Sequence, residues 1–165
     1  MTATATLDKA KILEILQKKI EGELQAIIRS ATLAHQEATH EESKAEDQYD
    51  TRGLEASYLA GAQAQRATEL QQLLVTLKYL PLHAFKSADA IAASALVLLE
   101  TGESSLYYWL ITGAGGLSVV WEGLKIQMIS PSSPMGEELI GRKAGDAFEM
   151  QGKGGVREYE ILEVF

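Results

Sequence analysis

Residues 7–42 read LDKAKILEILQKKIEGELQAIIRSATLAHQEATHEE, and this stretch decides the fold of the first half of the chain. Its apolar residues advance by three or four positions at each step, which is the repeat of one face of an α-helix. One glycine and no proline interrupt it. The segment therefore predicts a single helix about 50 Å long, at roughly 1.5 Å per residue. The stripe consists of Leu13, Leu16, Ile20, Leu24, Ile27, Ala31, Ala34 and Ala38.

A second stripe with matching spacing follows and predicts a partner helix. Arg66 is its one polar member, and the numbers of opposed positions in the two stripes add to a nearly constant value. Constant sums are expected when two helices fold back on each other, so the pattern predicts an antiparallel hairpin with its apex near Glu46 and Asp47. The second stripe consists of Leu59, Ala62, Arg66, Leu70, Leu73 and Leu77, and the predicted pairs include Leu16 with Leu77, Ile20 with Leu73 and Ile27 with Arg66.

The apex is the most acidic part of the chain. The segment 37–55 holds seven carboxylates and only two basic side chains. One interpretation is a solvated loop in which Asp50 or Thr51 caps the second helix. The other is a carboxylate cluster at the end of a long arm, able to share a divalent cation that prefers oxygen ligands.

From about residue 90 the pattern changes to short apolar runs separated by turn signals, which is typical of β-structure. The glycine clusters 113–116 and 152–155 predict hairpin turns. Ser133, Pro134 and Gly141 bracket a short helix, with a serine cap, proline at the first position and glycine after the end. We therefore expect an α+β protein: a helical coiled-coil hairpin over 1–80 with its tip near 41–52, a linker over 81–90, and an antiparallel β domain with one short helix over 91–165.

Composition excludes several functions. The formal charge of −8 argues against free nucleic acid as a direct partner, and the absence of cysteine removes thiolate chemistry and disulfides. We expect a cytoplasmic protein without a membrane segment, because the apolar runs are too short and no secretory signal is recognisable at the N-terminus. The three histidines do not have the spacing of metal ligands, so we expect them at the surface: His35, His40 and His83.

Two stretches resemble a known family. Residues 129–146, ISPSSPMGEELIGRKAGD, and 154–164, GGVREYEILEV, resemble the C-terminal domain of the bacterial Gre-family transcript cleavage factors. Residues 49–60, YDTRGLEASYLA, resemble the start of the second helix in a Gre-like subgroup.

The resemblance implies an FKBP-like β domain that binds RNA polymerase near its secondary channel. It also implies that the hairpin enters the channel, where tip carboxylates help to hold the Mg²⁺ that activates water to cleave backtracked RNA. The active site belongs to the polymerase in this family, so we expect an accessory factor rather than an enzyme, with no cofactor in the free protein.

This sequence departs from the family at the tip. Aligning the family element D..ENAEY on Ala56 to Tyr58 places Thr51 and Leu54 where the key carboxylates belong. We expect Asp50 to act instead, together with Asp47, Glu46 or Glu55, and Asp50 and Asp47 to be the ligands of the shared Mg²⁺.

Three alternatives stay open from sequence. The chain could be a channel-binding relative without cleavage activity, an FKBP-like prolyl isomerase or chaperone, or a coiled-coil adaptor for another partner. Channel binding has better support than cleavage, because the family's acidic pair is absent as written.

Overall fold

A computed structural model of the 165-residue chain describes residues 7–39 and 52–165, with only the backbone given for 37–39 and 52–57. Two long helices come first, and a six-stranded sheet with one short helix follows. The elements are α1 (Lys9–Thr39), α2 (Arg52–Lys78), β1 (Leu96–Thr101), β2 (Ser104–Leu110), β3 (Ser118–Trp121), β4 (Leu124–Ile129), α3 (Pro134–Leu139), β5 (Ala147–Gly152) and β6 (Gly155–Val164).

The chain divides into two compact units. One comprises residues 17–78, and the other comprises residues 1–16 together with 79–165. The expected domain boundaries of 1–80, 81–90 and 91–165 stay a prediction. Neither long helix, in the part of the chain described, carries an apolar stretch sufficient to span a bilayer.

The helical unit is an antiparallel pair whose core lies at its base. Ile20, Leu24, Leu70 and Leu73 are buried, as the two stripes predict. Helix α1 has 31 residues and α2 has 27, so they are about 47 Å and 41 Å long. These lengths confirm that the first half forms two long helices.

The two apolar stripes predict one continuous contact between the helices, which we call the seam. Toward the tip the structure departs from this prediction. In α2 the less exposed positions before Leu70 are Gln63 and Ala67, so the seam lies one residue away from the predicted Ala62 and Arg66. Arg66 lies off this seam and is exposed; its guanidinium contacts Glu23 of α1, with Nη2 2.9 Å from the carboxylate. The predicted seam residues beyond this point are exposed where they are described: Ala31, Ala34, Leu59 and Ala62.

The sheet has the order β3-β4-β2-β1-β6-β5. Strand β1 is antiparallel to both β2 and β6, and the pairs β3–β4 and β5–β6 are antiparallel hairpins. The pair β2–β4 is parallel, from Tyr107 opposite Ile126 to Leu110 opposite Ile129. The α+β class is confirmed, and the sheet is mixed rather than purely antiparallel.

The parallel pair corrects one turn prediction. Residues 113–116 do not join neighbouring strands; they carry the chain past the position of β4 to β3. The tight hairpin at Glu122 and Gly123, both with positive φ of 48° and 83°, then returns β4 into the gap beside β2. The other cluster behaves as predicted, because Gly152 pairs with Gly155 across the β5–β6 turn.

One face of the sheet carries a contiguous hydrophobic core with α3. Leu139 of α3 is fully buried in it, and Phe148 and Tyr159 stack with ring centroids 5.4 Å apart. The segment before β1 closes this core, because the backbone of Ile91 exchanges hydrogen bonds of 2.8 Å with Arg142 and Gly141. The core consists of Ile91, Ala95, Val97, Leu99, Leu110, Ile129, Leu139, Phe148, Tyr159, Ile161 and Val164.

Candidate functional site

Most of the acidic tip lies outside the described residues. Glu46, Asp47 and Asp50, the predicted acting carboxylates, lie outside the described residues. Glu55 lies in the first turn of α2, where the backbone alone is described. The structure therefore places the two helices that lead to the tip and leaves the predicted ligand set untested.

Potential metal-binding side chains also occur in the rest of the described chain. Within residues 7–39 and 52–165, no three or more His, Cys, Asp or Glu side chains are grouped so that they could hold a metal ion. His35 and His83 are exposed, as the sequence predicts, and His40 falls outside the described part.

The loop before α3 is built around serine side chains. Ser133 is the N-cap, and its Oγ accepts a 3.1 Å hydrogen bond from the N–H of Gly136. The carbonyl of Ser130 accepts both the N–H of Ser133 at 3.0 Å and its hydroxyl at 2.7 Å. Pro134 occupies the first turn together with Glu137, so the predicted cap and proline are confirmed.

Gly136 has a steric role that the sequence did not reveal. A Cβ at this position would lie 2.1 Å from the Ser130 carbonyl oxygen and 2.8 Å from that of Pro131. The first turn of α3 therefore packs directly on the backbone of the serine loop. Sequence showed a glycine inside a short helix, which signals only a weak helix former.

Beside α3 lies a groove of about 320 Å³, which we call the Met135 groove. Met135, Met150 and Tyr159 supply its apolar side chains, and Lys153 and Arg157 supply two cations. Apolar surface next to positive charge suits a protein segment that presents apolar and acidic side chains together. Sequence analysis missed this groove, because its residues come from α3, β5, β6 and the turn between the strands.

Two polar side chains of the β domain, Arg142 and Tyr108, have defined surroundings. The Arg142 guanidinium lies 5.0 Å from the Phe148 ring centroid and bonds the Glu138 carboxylate at 2.8 Å. Burial, with a smaller effect of Tyr159, raises the pKa of the Tyr108 hydroxyl.

Comparisons with known proteins agree with the resemblance seen in sequence. The family model described as Transcription elongation factor, GreA/GreB, C-term, matches residues 121–165. These residues contain β4, the serine loop, α3 and the β5–β6 hairpin, together with the end of β3.

Full-length relatives extend the match into the helices. The transcription elongation factor GreA of Mesorhizobium japonicum is 34% identical over 117 residues, which cover 66% of this chain and 69% of the relative. GreA of Trichlorobacter lovleyi is 25% identical over 151 residues, covering 92% of this chain and 88% of the relative.

A solved structure, Thermus aquaticus Gfh1, is 21% identical with a TM-score of 0.38, over 89% of this chain and 92% of that one. The assignment to a family rests on the sequence relatives. The chain belongs to the GreA/GreB family of transcription elongation factors.

Proposed function

We propose that this protein binds RNA polymerase through its β domain and extends its helical hairpin into the secondary channel, where the acidic segment 37–55 reaches the active centre. The observation that carries the proposal is family membership over more than two thirds of a GreA relative. The helices of 31 and 27 residues that lead to this segment support it.

The Met135 groove is the proposed polymerase-docking surface. Lys153 and Arg157 supply positive charge in a chain whose formal charge is −8, so the groove differs in sign from the molecule as a whole. Positive charge at the groove favours binding of an acidic partner segment and orients the two proteins as they associate.

The tip would act only inside the complex. Carboxylate oxygens are the ligands that Mg²⁺ takes, and magnesium keeps most of its water unless further ligands complete the octahedron. Asp50 and Asp47 would therefore contribute to a metal shared with the polymerase. The metal, when bound, supplies an activated water, and the chain has no catalysis of its own under this proposal.

The positions of the family's key carboxylates are occupied in this sequence by Thr51 and Leu54. We therefore propose that occupancy of the channel, rather than stimulated cleavage, is the primary activity. Any stimulated cleavage then depends on Asp50, because it is the acid nearest the family's first carboxylate position. The protein is thus proposed to be a channel factor whose cleavage activity is weak or absent without Asp50.

The experiment measures binding to core RNA polymerase and RNA shortening in stalled elongation complexes. Asp50→Asn should remove any stimulated cleavage and leave binding within about twofold, because Asn caps a helix about as well as Asp. Glu21→Gln, which removes an exposed carboxylate from the same hairpin far from the tip in sequence, is the matched control.

Docking is tested separately by Arg157→Glu, with Lys125→Glu as a charge reversal at an exposed site elsewhere in the β domain. We expect the first to weaken polymerase binding by more than tenfold and the second to have little effect. Absence of binding by the unmodified protein would refute the proposed function. Equal binding by both variants would refute only the docking surface.

A further inference from the structure

Two methionines from different elements line the Met135 groove. Met135 belongs to α3 and Met150 to β5, and both side chains are partly buried against the hydrophobic core of the β domain. The groove of about 320 Å³ admits several molecules of the size of water, which occupies about 30 Å³ in the liquid. The third methionine in the described part of the chain, Met128 of β4, is fully buried. Small solutes therefore reach the first two side chains, whereas the fold shields the third.

The two cations of the groove lie close to Met150. Arg157 is directly opposite Met150 in the β5–β6 pair, so their side chains are cross-strand neighbours on one face of the sheet. Lys153 lies in the turn that joins these strands. Among the described side chains, neither cation has a carboxylate within ion-pair distance. Their N–H groups are therefore available to a new acceptor in the groove.

We propose that Met135 and Met150 are oxidation sites, and that their conversion to methionine sulfoxide by hydrogen peroxide weakens the docking of an acidic partner segment in the groove. The effect on docking rests on the proposed function, in which this groove binds RNA polymerase. The selective oxidation of the two residues does not depend on it.

The reaction needs hydrogen peroxide as the oxidant and no other reagent. A lone pair of the thioether sulfur attacks one oxygen of the peroxide, and the O–O bond breaks. The attacked oxygen stays on sulfur, which loses two electrons and becomes a sulfoxide. The other oxygen leaves as hydroxide and takes the proton of the transferred oxygen, so water is the second product.

Oxidation changes both properties that suit the groove to its partner. A sulfoxide is polar, so the apolar wall formed by Met135 and Met150 is lost. Its oxygen accepts hydrogen bonds, and the guanidinium of Arg157 lies on the neighbouring strand beside Met150. A sulfoxide at Met150 therefore competes with the carboxylates of the partner for the same donors.

The first measurement follows the oxidation of each methionine in the full chain by hydrogen peroxide, with peptide mass spectrometry as the readout. Because susceptibility follows exposure, we expect Met135 and Met150 to oxidise more than about tenfold faster than Met128 in the folded chain. In urea all three should react at similar rates, since unfolding exposes Met128. Equal rates for the three residues in the folded chain would overturn the proposal.

The second measurement compares the affinity of each protein for core RNA polymerase before and after oxidation, with the peroxide removed before polymerase is added. We expect the unmodified chain to lose about tenfold in affinity, and methionine sulfoxide reductase to restore it. Met135→Leu combined with Met150→Leu removes both thioethers at similar side-chain volume, so the affinity of this variant should not change on oxidation. Met128→Leu is the matched control and should lose affinity as the unmodified chain does.

The outcomes distinguish this proposal from the proposed function. Unchanged affinity of the unmodified chain after full conversion of Met135 and Met150 would overturn the effect on docking, while polymerase binding itself would stand. Absence of binding before oxidation would overturn the proposed function, and the effect on docking with it.

Discussion

Replacing Gly136 by alanine places a methyl group where the backbone of the serine loop already lies. The new Cβ would be 2.1 Å from the Ser130 carbonyl oxygen. An ordinary Cβ contact needs at least 3.4 Å, so the loop or the helix must move by more than about 1 Å. That carbonyl accepts two hydrogen bonds from Ser133, and its displacement therefore disturbs the N-cap of α3 as well.

The expected cost follows from these contacts. Overpacking against backbone costs about 1–3 kcal/mol, and loss of a cap costs about 1 kcal/mol. The better helix propensity of alanine returns up to about 1 kcal/mol. We expect Gly136→Ala to lower the free energy of unfolding by about 3 kcal/mol, which lowers the Tm of a domain of this size by roughly 12–24 °C.

Thermal and urea unfolding followed by tryptophan fluorescence measures this effect in the full chain, because both tryptophans, Trp109 and Trp121, lie in the β domain. Gly22→Ala is the matched control: a Cβ at Gly22 of α1 meets nothing within 4 Å. That change should stabilise the helical unit by about 0.5–1 kcal/mol and should not lower the stability of the β domain that the tryptophans report. A Gly136→Ala protein as stable as the wild type would refute the close-approach argument.

Other substitutions test separate contacts. Ser94→Gly should raise the free energy of unfolding by about 1 kcal/mol in urea titration, because Ser94 has φ of 72° and a buried Oγ without a partner in the described part of the chain. Ser133→Ala should lower it by about 1 kcal/mol, since the cap of α3 is lost. Arg66→Ala should cost less than about 1 kcal/mol, because its ion pair with Glu23 is exposed; a larger loss would show that the pair organises the hairpin. Because burial lowers the pKa of Lys9 to about 8, the unfolded chain binds more protons at Lys9 than the folded chain between pH 8 and about 10.4. The wild type should therefore gain stability over Lys9→Gln as pH rises; a constant difference would contradict the lowered pKa.

Local signals in the sequence were sufficient for most elements. The helical stripe predicted α1 and its buried residues Ile20 and Leu24, and the order of serine, proline and glycine predicted α3. Each of these signals is carried by residues within one or two turns of each other. Periodicity and capping report such short-range relations directly.

Relations between distant residues were not visible in sequence. Spacing alone assigned Arg66 to the apolar seam, whereas the carboxylate that it contacts, Glu23, lies on the other helix. The parallel pairing of β2 with β4 depends on which strand the hairpin at Gly123 returns to, and a turn signal specifies direction but not neighbour. The Met135 groove and the hydrogen bond from Lys9 to the His83 carbonyl also join elements far apart in the chain.

The position of β6 between β1 and β5 has a consequence for how the domain folds. One edge of β1 pairs with β2, which follows it directly in the chain. Its other edge pairs with the last strand, β6, where Val97 lies opposite Val164. Pairings of such long sequence separation form slowly, and open strand edges promote association with other chains meanwhile. Charged side chains flank that edge, with Glu100 opposite Glu160 across the β1–β6 pair. Like charges directly opposite each other cost some native stability, whereas a charged side chain on an open strand edge disfavours pairing with another chain.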